Sequence, residues 1–255
     1  MIFILLALGF LLIVLFVLII KNHIVISNML WHFKHCNVIV AGKKGSGKDL
    51  LFQFVINKRK KFYYSNISYG GKHKIVTLKD VAVKENSYLT LVNDTVVKQP
   101  HTFKEKCDIY ISDIGNFLPS YMDSTLYKLF PSMPIFYSLS RHLYDNNVHC
   151  NTQNIERGWK ALREQADFYV QVKKTYHLPF ILITKIYTYD RYESAKQNLL
   201  PIKTRLLNKY SKAEVDVYNA TNGDIRKGYV IQRKSKLKYN TRAFERILLK
   251  GRRKY

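Results

Sequence analysis

Acidic residues are scarce in this chain of 255 residues, in which 18 Asp and Glu stand against 42 Lys and Arg. The formal net charge of +24 indicates an anionic partner, either nucleic acid or anionic lipid. The alternative interpretation is a solvated lysine surface in a compositionally biased sequence.

Cysteine is equally sparse. The three cysteines are odd in number, scattered and without CxxC spacing: Cys36, Cys107 and Cys150. This pattern argues against a disulfide framework and fits a reducing compartment. Four histidines also lack a metal-ligand spacing with Cys or Glu, so no zinc site is expected: His32, His35, His142 and His149. No Ser-His-Asp or Cys-His arrangement is supported either.

Residues 2–20 contain no charged or strongly polar side chain. At about 1.5 Å per residue, this segment spans roughly the hydrocarbon thickness of a bilayer. It lacks the basic n-region and the small-residue cleavage site of a signal peptide, which favours a permanent anchor. A buried core helix is the alternative. Because Lys21 and many more basic residues follow, the positive-inside rule predicts an outer N-terminus and a cytoplasmic remainder.

A phosphate-binding loop is predicted after the first cytoplasmic strand. The β-branched run at 38–41 breaks into Gly42-x-x-x-x-Gly47-Lys48, and a helix-compatible stretch begins at Leu50. Glycines allow close approach of the backbone to a ligand, while amides at a helix N-terminus bind anionic oxygens. The predicted nucleotide-binding residues are Gly42, Lys43, Lys44, Gly45, Ser46, Gly47, Lys48 and Asp49. A Gly/Lys turn that fits the motif by chance is the alternative.

Two aspartates are candidate ligands for Mg²⁺. Asp49 replaces the Ser or Thr that normally follows the loop lysine, and a carboxylate is a hard oxygen ligand. Asp113 ends a β-rich segment at 107–115, where a second parallel strand would bring it beside the loop; an N-cap or turn role is the alternative. Ile114 occupies the position at which many ATPases carry a glutamate base. Hydrolysis therefore needs a base from elsewhere, or Asp113 must polarise the water, or the rate is low.

The remaining pattern predicts an α/β P-loop fold with a mostly parallel central sheet and flanking helices. Strands are expected at 73–78, 87–92, 147–153 and 168–173, and helices at 120–139 and 155–166. The strand at 147–153 ends in Gln153, which could sense the γ-phosphate. A strand at 179–187 should pair antiparallel with 168–173, and 228–232 should form an edge strand.

The order of these motifs resembles the zonular occludens toxin-like (Zot) family, the assembly ATPases of filamentous phages within the HerA/FtsK group. The resemblance covers roughly residues 37–174. The motifs most specific to this family are the Arg141-His142 pair, the Thr152-Gln153 strand end and the sequence Leu-Arg-Glu-Gln-Ala-Asp at 162–167. Three features depart from the family pattern: Asp49, Ile114 and an anchor that precedes the ATPase domain instead of following it.

The resemblance implies ATP- and Mg²⁺-dependent assembly and extrusion of a filamentous virion through the host inner membrane. It implies a homo-oligomer, such as a hexameric ring, that handles phage coat proteins. In ring ATPases a neighbouring subunit supplies a catalytic arginine, and the candidates are Arg141, Arg157 and Arg163. The predicted catalytic set is Lys48, Asp113, Gln153 and Arg141.

Four regions are therefore predicted: a transmembrane anchor at 1–21, a juxtamembrane connector at 22–36, the ATPase domain at 37–232 and a basic tail at 233–255. The connector should form an interfacial or connecting helix with Trp31 near the headgroups. The tail carries ten Lys and Arg against the single acid Glu245, so it could bind single-stranded DNA or anionic lipid, or remain solvated. Two rival functions remain: a DNA translocase for conjugation or packaging, and a nucleotide-binding membrane scaffold with little hydrolysis.

Overall fold

A computed structural model describes residues 2–75, 89–92, 95–98, 104, 106–117, 119–122, 124–125, 128, 137, 140–141, 145–158, 160–163, 165–190 and 225–237. In chain order the helices and strands are α1 (Ile2–His35), β1 (Val38–Ala41), α2 (Lys48–Arg59), β2 (Tyr63–Ser65), β3 (His73–Ile75), β4 (Leu89–Val92), β5 (Thr95–Lys98), β6 (Asp108–Ile111), α3 (Ile114–Phe117), β7 (Asn147–Thr152), α4 (Lys160–Arg163), β8 (Phe168–His177), β9 (Ile181–Tyr189) and β10 (Ile225–Arg233). Short 3₁₀ turns lie at Ser120–Met122, Ile155–Arg157 and Lys234–Lys236.

The main sheet has the strand order β10-β9-β8-β1-β7-β6-β2-β3. The strands from β8 to β3 in this order are mutually parallel. β9 pairs antiparallel with both β8 and β10. The mostly parallel sheet, with a loop that leads from β1 directly into α2, confirms the predicted P-loop fold class. All four residues of β1 are buried, as expected for a central parallel strand covered on both faces.

The core lies between the sheet, α2 and the second half of α1. It combines side chains from the helices with β-branched and aromatic residues of the sheet, among them Met29, Phe33, Leu51, Phe52, Val170 and Ile186. Each buried side chain of this size contributes about 1.5–3 kcal/mol by leaving water. The antiparallel pairing of β8 with β9 agrees with the sequence prediction, and β10 lies at the sheet edge as predicted.

The N-terminal helix is continuous and has two different surroundings. α1 runs without a break over 34 residues, and it is long and apolar enough to cross a membrane. Its side chains from Phe10 to Ile20 are exposed, whereas Val25, Met29 and Phe33 are buried against the domain. The predicted connector is therefore the continuation of the apolar helix, and it forms part of the core. Trp31 is 54% exposed.

Several predicted boundaries need correction. α2 begins at Lys48, two residues before the predicted start. β4 pairs with β5 in a separate antiparallel hairpin and not in the main sheet. β3 ends at Ile75, and residues 76–78 lie outside the described part of the chain. Most of the helix predicted at 120–139, and the tail from residue 238 onward, also lie outside it.

The helix predicted at 155–166 is wrong. The side chain of Asn154 accepts a hydrogen bond from the Glu156 amide and starts a 3₁₀ turn, which ends at Arg157. Gly158 is extended, with φ −76° and ψ 154°, and its backbone bridges to Pro119. Only the short helix α4 follows. A local side-chain cap and a tertiary backbone contact thus override the helical pattern.

A buried ion pair and a buried histidine hold α1 and α2 against the sheet. Arg59 Nε lies 2.8 Å from Asp108 Oδ2, and the Arg59 guanidinium also donates to the Phe33 carbonyl. Burial raises the pKa of Asp108 to about 6, against the opposing charges of Arg59 and Lys61. His149 of β7 packs with its ring centroid 4.9 Å from those of both Phe33 and Tyr110. Burial lowers the pKa of His149 well below its ordinary value.

We predict that the buried His149 makes the protein acid-sensitive. Below the unfolded pKa of about 6.5, the unfolded chain binds a proton that the folded chain excludes, so stability falls by up to about 1.4 kcal/mol per pH unit. Asp108, whose folded pKa is raised, has the opposite effect on stability between about pH 6 and 4. Its contribution is the same in the wild type and in a variant that changes only His149. Thermal unfolding of the wild type and of His149→Phe between pH 7 and 5.5 should show a smaller loss in the variant. Equal slopes would contradict the assignment.

Candidate nucleotide site

The loop between β1 and α2 has the backbone that its glycines predict. Gly45 and Gly47 adopt positive φ of 74° and 100°, a region that residues with a Cβ rarely enter. A Cβ added at Gly42 would lie 2.5 Å from the Val172 carbonyl oxygen, and one at Gly47 would overlap the Thr175 hydroxyl. The loop therefore packs directly on β8, and glycine is required by this close approach as well as by conformation.

β8 also fixes the loop by a hydrogen bond. The Thr175 hydroxyl lies 2.8 Å from the Ser46 carbonyl oxygen, to which it can donate, and 2.9 Å from the hydroxyl of Thr184 on β9. At the start of the loop, the Gly42 amide donates to the Thr152 carbonyl of β7 (3.1 Å). The loop is thus held by both strands that flank β1.

The side chain of Lys48 folds back and bonds the backbone of the loop. Its Nζ donates to the carbonyl oxygens of Gly42 (2.9 Å) and Lys43 (3.1 Å). The residue is only 8% exposed. Burial lowers the pKa of Lys48, while the nearby carboxylates of Asp49 and Asp113 act in the opposite direction. A buried ammonium on a flexible stem, held by loop carbonyls, can exchange these for phosphate oxygens when a ligand binds.

Asp49 joins three separate segments of the chain. Its Oδ1 accepts hydrogen bonds from the Tyr69 hydroxyl, the Ser112 hydroxyl and the Asn151 amide, each at 2.8 Å. Ser112 follows β6 and Asn151 lies in β7, so this one oxygen links the start of α2 to the carboxyl ends of two strands. Among the described residues Oδ2 has no such partner, and it is the oxygen that could reach a metal ion.

Asp113 is held in a left-handed conformation beside the loop. Its φ is 54°, a region in which aspartate is tolerated better than most residues. The backbone amide donates to Asn151 Oδ1 (2.7 Å), and the side-chain Oδ2 accepts from Asn116 (2.6 Å). The strand that leads to Asp113 does not neighbour β1, because β7 lies between them. Asn151 therefore bridges from β7 to both aspartates.

These groups line one open cleft of about 410 Å³ at the carboxyl edge of the sheet. Its lining contains most of the predicted binding residues: Lys44, Gly45, Gly47, Lys48, Asp49, Asp113 and Gln153. Gly42, Lys43 and Ser46 form the loop backbone behind this lining. The cleft thus brings together the loop lysine, both aspartates and the strand-end glutamine.

Arg141 lies elsewhere in the same chain. Its Nη1 donates to the His35 carbonyl (2.9 Å) and lies 3.6 Å from Asp167 Oδ2. His35 and Asp167 precede β1 and β8, so Arg141 is at the amino edge of the sheet, opposite the cleft. The assignment of Arg141 to the catalytic set is therefore not supported within one subunit, and it requires a neighbouring subunit.

The two other candidate arginines differ in position. Arg157 is exposed and packs beside Gly115, with its Cβ 3.0 Å from a Cβ built there. This places Arg157 near the loop that carries Asp113. Arg163 precedes β8, and its carbonyl oxygen accepts a hydrogen bond from the Tyr169 hydroxyl. Among these three arginines, Arg157 is the one at the carboxyl edge.

Sequence reasoning missed four residues of this region: Tyr69, Asn151, Thr175 and His177. Asn151 and His177 line the cleft, Tyr69 bonds Asp49, and Thr175 supports the loop. Asn151 stands two residues before Gln153 on the same strand, so its polar side chain on a buried strand was an available signal. No local pattern marks the others, because their roles depend on the strand order.

Comparisons with known proteins returned distant structural neighbours only. No family model and no curated protein matches the chain. The N-terminal domain of zonular occludens toxin from Neisseria meningitidis aligns with a TM-score of 0.41 and 9% identity, over 65% of this chain and 92% of that one. The genome packaging NTPase B204 of Sulfolobus turreted icosahedral virus 2, solved with AMP, aligns with a TM-score of 0.35 and 16% identity, over 57% and 78%.

The same packaging NTPase in complex with ATP-gammaS gives a TM-score of 0.35 and 15% identity, over 57% of this chain and 78% of that one. The neighbours thus include the family that the sequence motifs resemble. In the function proposed below, the cleft and α1 carry nucleotide binding and membrane anchoring, whereas virion assembly comes from the motif resemblance; these distant structural likenesses carry neither.

We predict that Asp49 stabilises the protein without any ligand. Removal of its carboxylate deletes the three hydrogen bonds from Tyr69, Ser112 and Asn151, and hydrogen bonds to a charged group contribute about 1.5–3 kcal/mol each. Asp49→Ala should therefore lower the free energy of unfolding by several kcal/mol. Asp113→Asn keeps the left-handed preference and an oxygen for Asn116, so it should change this free energy little.

Chemical denaturation of the wild type and both variants, without nucleotide or metal, measures the difference. If Asp49→Ala and Asp113→Asn had equal small effects, the organising role of Asp49 would be wrong.

Proposed function

We propose that this protein is a membrane-anchored P-loop ATPase that drives the assembly and extrusion of a filamentous virion through the inner membrane of its host. The observation that carries the enzymatic part of the proposal is the shared cleft of Lys48 and Asp113. A cation beside loop amides binds phosphates, and a carboxylate across the cleft holds the accompanying metal.

The phosphate end of ATP would occupy the loop. Amides after two glycines with positive φ, together with the first turn of α2, form a concave anion site. Lys48 already lies inside this concavity, where it is hydrogen-bonded to loop carbonyls. Exchange of these carbonyls for β- and γ-phosphate oxygens keeps the ammonium solvated by oxygen and neutralises ligand charge.

The residues present fit a Mg²⁺ ion. Asp113 supplies a carboxylate, and Asp49 Oδ2 supplies a second oxygen that makes no hydrogen bond to the described residues. Mg²⁺ favours one or two protein carboxylates together with phosphate oxygens and water. When bound, it would neutralise charge on the transferred phosphoryl group. Asp49 Oδ1, which three donors occupy, would keep the second carboxylate oriented.

Hydrolysis would depend on Gln153 and Asp113. Gln153 lines the cleft at the end of β7, between the strands that carry the loop and Asp113, and it is suited to orient water against the γ-phosphate. Ile114, which replaces the usual glutamate, is 2% exposed and offers no base. We therefore infer slow turnover in the isolated subunit, with an arginine from a neighbouring subunit of a ring raising the rate.

The anchoring rests on α1. Its side chains from Phe10 to Ile20 are exposed, and an apolar surface of this size on a single helix needs an apolar solvent. The positive-inside rule orients the N-terminus outward. Because the helix continues into the core, the ATPase domain would lie directly on the cytoplasmic surface of the membrane, where virion proteins inserted in the same bilayer could be reached.

A DNA translocase is the second candidate, and the net charge of +24 favours it. Single-stranded DNA that stimulates ATP turnover severalfold without any coat protein would support this candidate. Stimulation by phage coat protein in the same vesicles, with DNA inert, would support virion assembly.

We predict that Lys48→Ala weakens ATP binding and stops turnover. Loss of one charge-assisted contact costs about 1.5–3 kcal/mol, which is about a 10- to 100-fold loss of affinity. The full chain in detergent or lipid nanodiscs should be titrated with ATP and Mg²⁺, and phosphate release should be followed in parallel. Lys58→Ala, on the exposed face of the same helix, is the matched control.

Two outcomes of this experiment distinguish an ATPase from the other functions. Magnesium-dependent binding with the same negligible phosphate release in wild type and Lys48→Ala would leave a nucleotide-binding scaffold. Absence of magnesium-dependent ATP affinity in the wild type would remove the ATPase proposal altogether.

A further inference from the structure

The second half of α1 runs antiparallel to β8 and β10, and this direction fixes which end of the domain faces the anchor. The ring of His32 stacks on Phe168, the first residue of β8, at 3.9 Å. Ten residues earlier, Asn22 bonds both backbone groups of Tyr229 in β10, accepting from the amide at 2.6 Å and donating to the carbonyl at 3.0 Å. Between them, Val25 lies 2.8 Å from a Cβ built on Gly228.

The pairing of the strands shows in which direction α1 runs along the sheet. Gly228 pairs with Ile186, which pairs with Val172 of β8. Along β8, the contacts with α1 therefore run from Phe168 toward the level of Val172, in the direction of increasing residue number. Along α1, the same contacts run from His32 to Val25, in the direction of decreasing residue number. β8 and β10 thus run toward the apolar half of α1, and the carboxyl edge of the sheet faces the same way.

The hairpin between β8 and β9 extends farthest in this direction. β10 continues four residues beyond Tyr229 to Arg233, which pairs with Ile181 at the start of β9; this is about 13 Å of strand. Along α1, only two residues, or about 3 Å of helix, separate Asn22 from Ile20, where the apolar stretch ends. The hairpin end therefore projects past the polar end of the spanning segment, alongside the helix.

The chemistry of the hairpin end suits a membrane surface. Phe180 is 84% and Leu178 is 42% exposed, on either side of Pro179. The Leu178 amide donates to the Ile181 carbonyl (3.0 Å), and the Lys234 amide donates to the Phe180 carbonyl (3.0 Å), so the turn is ordered and lies against a basic 3₁₀ turn. An apolar tip surrounded by cations combines acyl-chain insertion with headgroup attraction.

The charge carried by the hairpin strands and by the β10 segment is of one sign. Basic residues next to the tip are Lys174, Arg233, Lys234 and Lys236, and residues 168–189 and 225–237 contain no Asp or Glu. Tyr176, 44% exposed, adds an aromatic side chain of the kind enriched at headgroup level. This composition favours an anionic bilayer surface over an uncharged protein partner.

We propose that the β8–β9 hairpin is a second membrane contact, which inserts Leu178 and Phe180 among anionic headgroups of the bilayer that α1 spans. The inference rests on the proposed anchoring by α1. It has a consequence for the nucleotide site, because His177, next to Leu178, lines the cleft. Lipid contact at the hairpin would thereby adjoin the position where phosphates bind.

The test uses the full chain in vesicles of phosphatidylcholine and phosphatidylglycerol. An environment-sensitive fluorophore is attached to the cysteine of Phe180→Cys. Quenching of its fluorescence by lipids that carry a quencher high on the acyl chain reports contact of the hairpin with the bilayer. Phe16→Cys, in the apolar half of α1, is the anchor control, and Lys34→Cys, at the opposite end of the helix, is the aqueous control. The native cysteines are buried, and the labelled wild type gives their background.

We expect strong quenching at Phe180 and Phe16, severalfold above that at Lys34. Lys234→Gln combined with Lys236→Gln, or replacement of phosphatidylglycerol by neutral lipid, should reduce quenching at Phe180 severalfold and leave Phe16 unchanged. Quenching at Phe16 without quenching at Phe180 would overturn the hairpin proposal and keep the anchor. Absence of quenching at Phe16 would instead overturn the anchor.

Two further outcomes also contradict the proposal. A fluorophore at Phe180 that responds to protein density in the vesicle, but not to quencher lipid, would assign the hairpin to a second copy of the chain. A response to added single-stranded DNA alone would assign it to nucleic acid.

Discussion

A single carboxylate oxygen, Oδ1 of Asp49, connects the parts of the chain that make the cleft. The parallel arrangement of β1, β7 and β6 brings their carboxyl ends to one edge of the sheet, but parallel strands alone do not fix the loops that follow. Three hydrogen bonds to Asp49 do so, from Tyr69, Ser112 and Asn151. Position 49 carries a carboxylate where P-loops usually carry a hydroxyl. This carboxylate hydrogen-bonds the start of α2 to Asn151 in β7 and to Ser112 after β6.

This arrangement would allow the proposed phosphate site to tolerate an additional negative charge. Three uncharged donors stabilise the charge on Oδ1 by hydrogen bonds. Lys48 lies close enough for the Asp49 and Asp113 charges to favour its protonated form against burial. Asp113, in turn, is positioned by Asn151 on the intervening strand. Hydrogen bonds thus connect Asp49, Ser112, Asn151 and Asp113 at the strand ends, and a connected polar network of this kind rigidifies a site.

The N-terminal helix imposes the second constraint. One continuous helix carries an exposed apolar half and a half that is buried in the domain core. Because Met29 and Phe33 belong to the core, the domain and the apolar segment cannot reorient freely about a linker. If α1 spans a membrane as proposed, any motion of the domain would be transmitted to the apolar half of the helix.

The sequence was sufficient for the elements with strong local signals. Periodicity and turn residues predict β1 with its glycine loop, the strand before Asp113, the antiparallel pair of β8 and β9, and an edge strand at the position of β10. The strand order does not follow from them, so the bridging role of Asn151 and the packing of Thr175 under the loop could not be predicted. The boundary after residue 21 stays a prediction, because Lys21 and Asn22 lie within the continuous helix α1.

The most direct test of this account is an experimental structure of the full chain with Mg²⁺ and a non-hydrolysable ATP analogue. The account predicts that Lys48 Nζ leaves the carbonyls of Gly42 and Lys43 for the β- and γ-phosphates, that Asp113 faces the metal, and that Asp49 Oδ1 keeps its three donors. A nucleotide bound outside the cleft, or a lysine still bonded to the loop carbonyls with the analogue present, would contradict it.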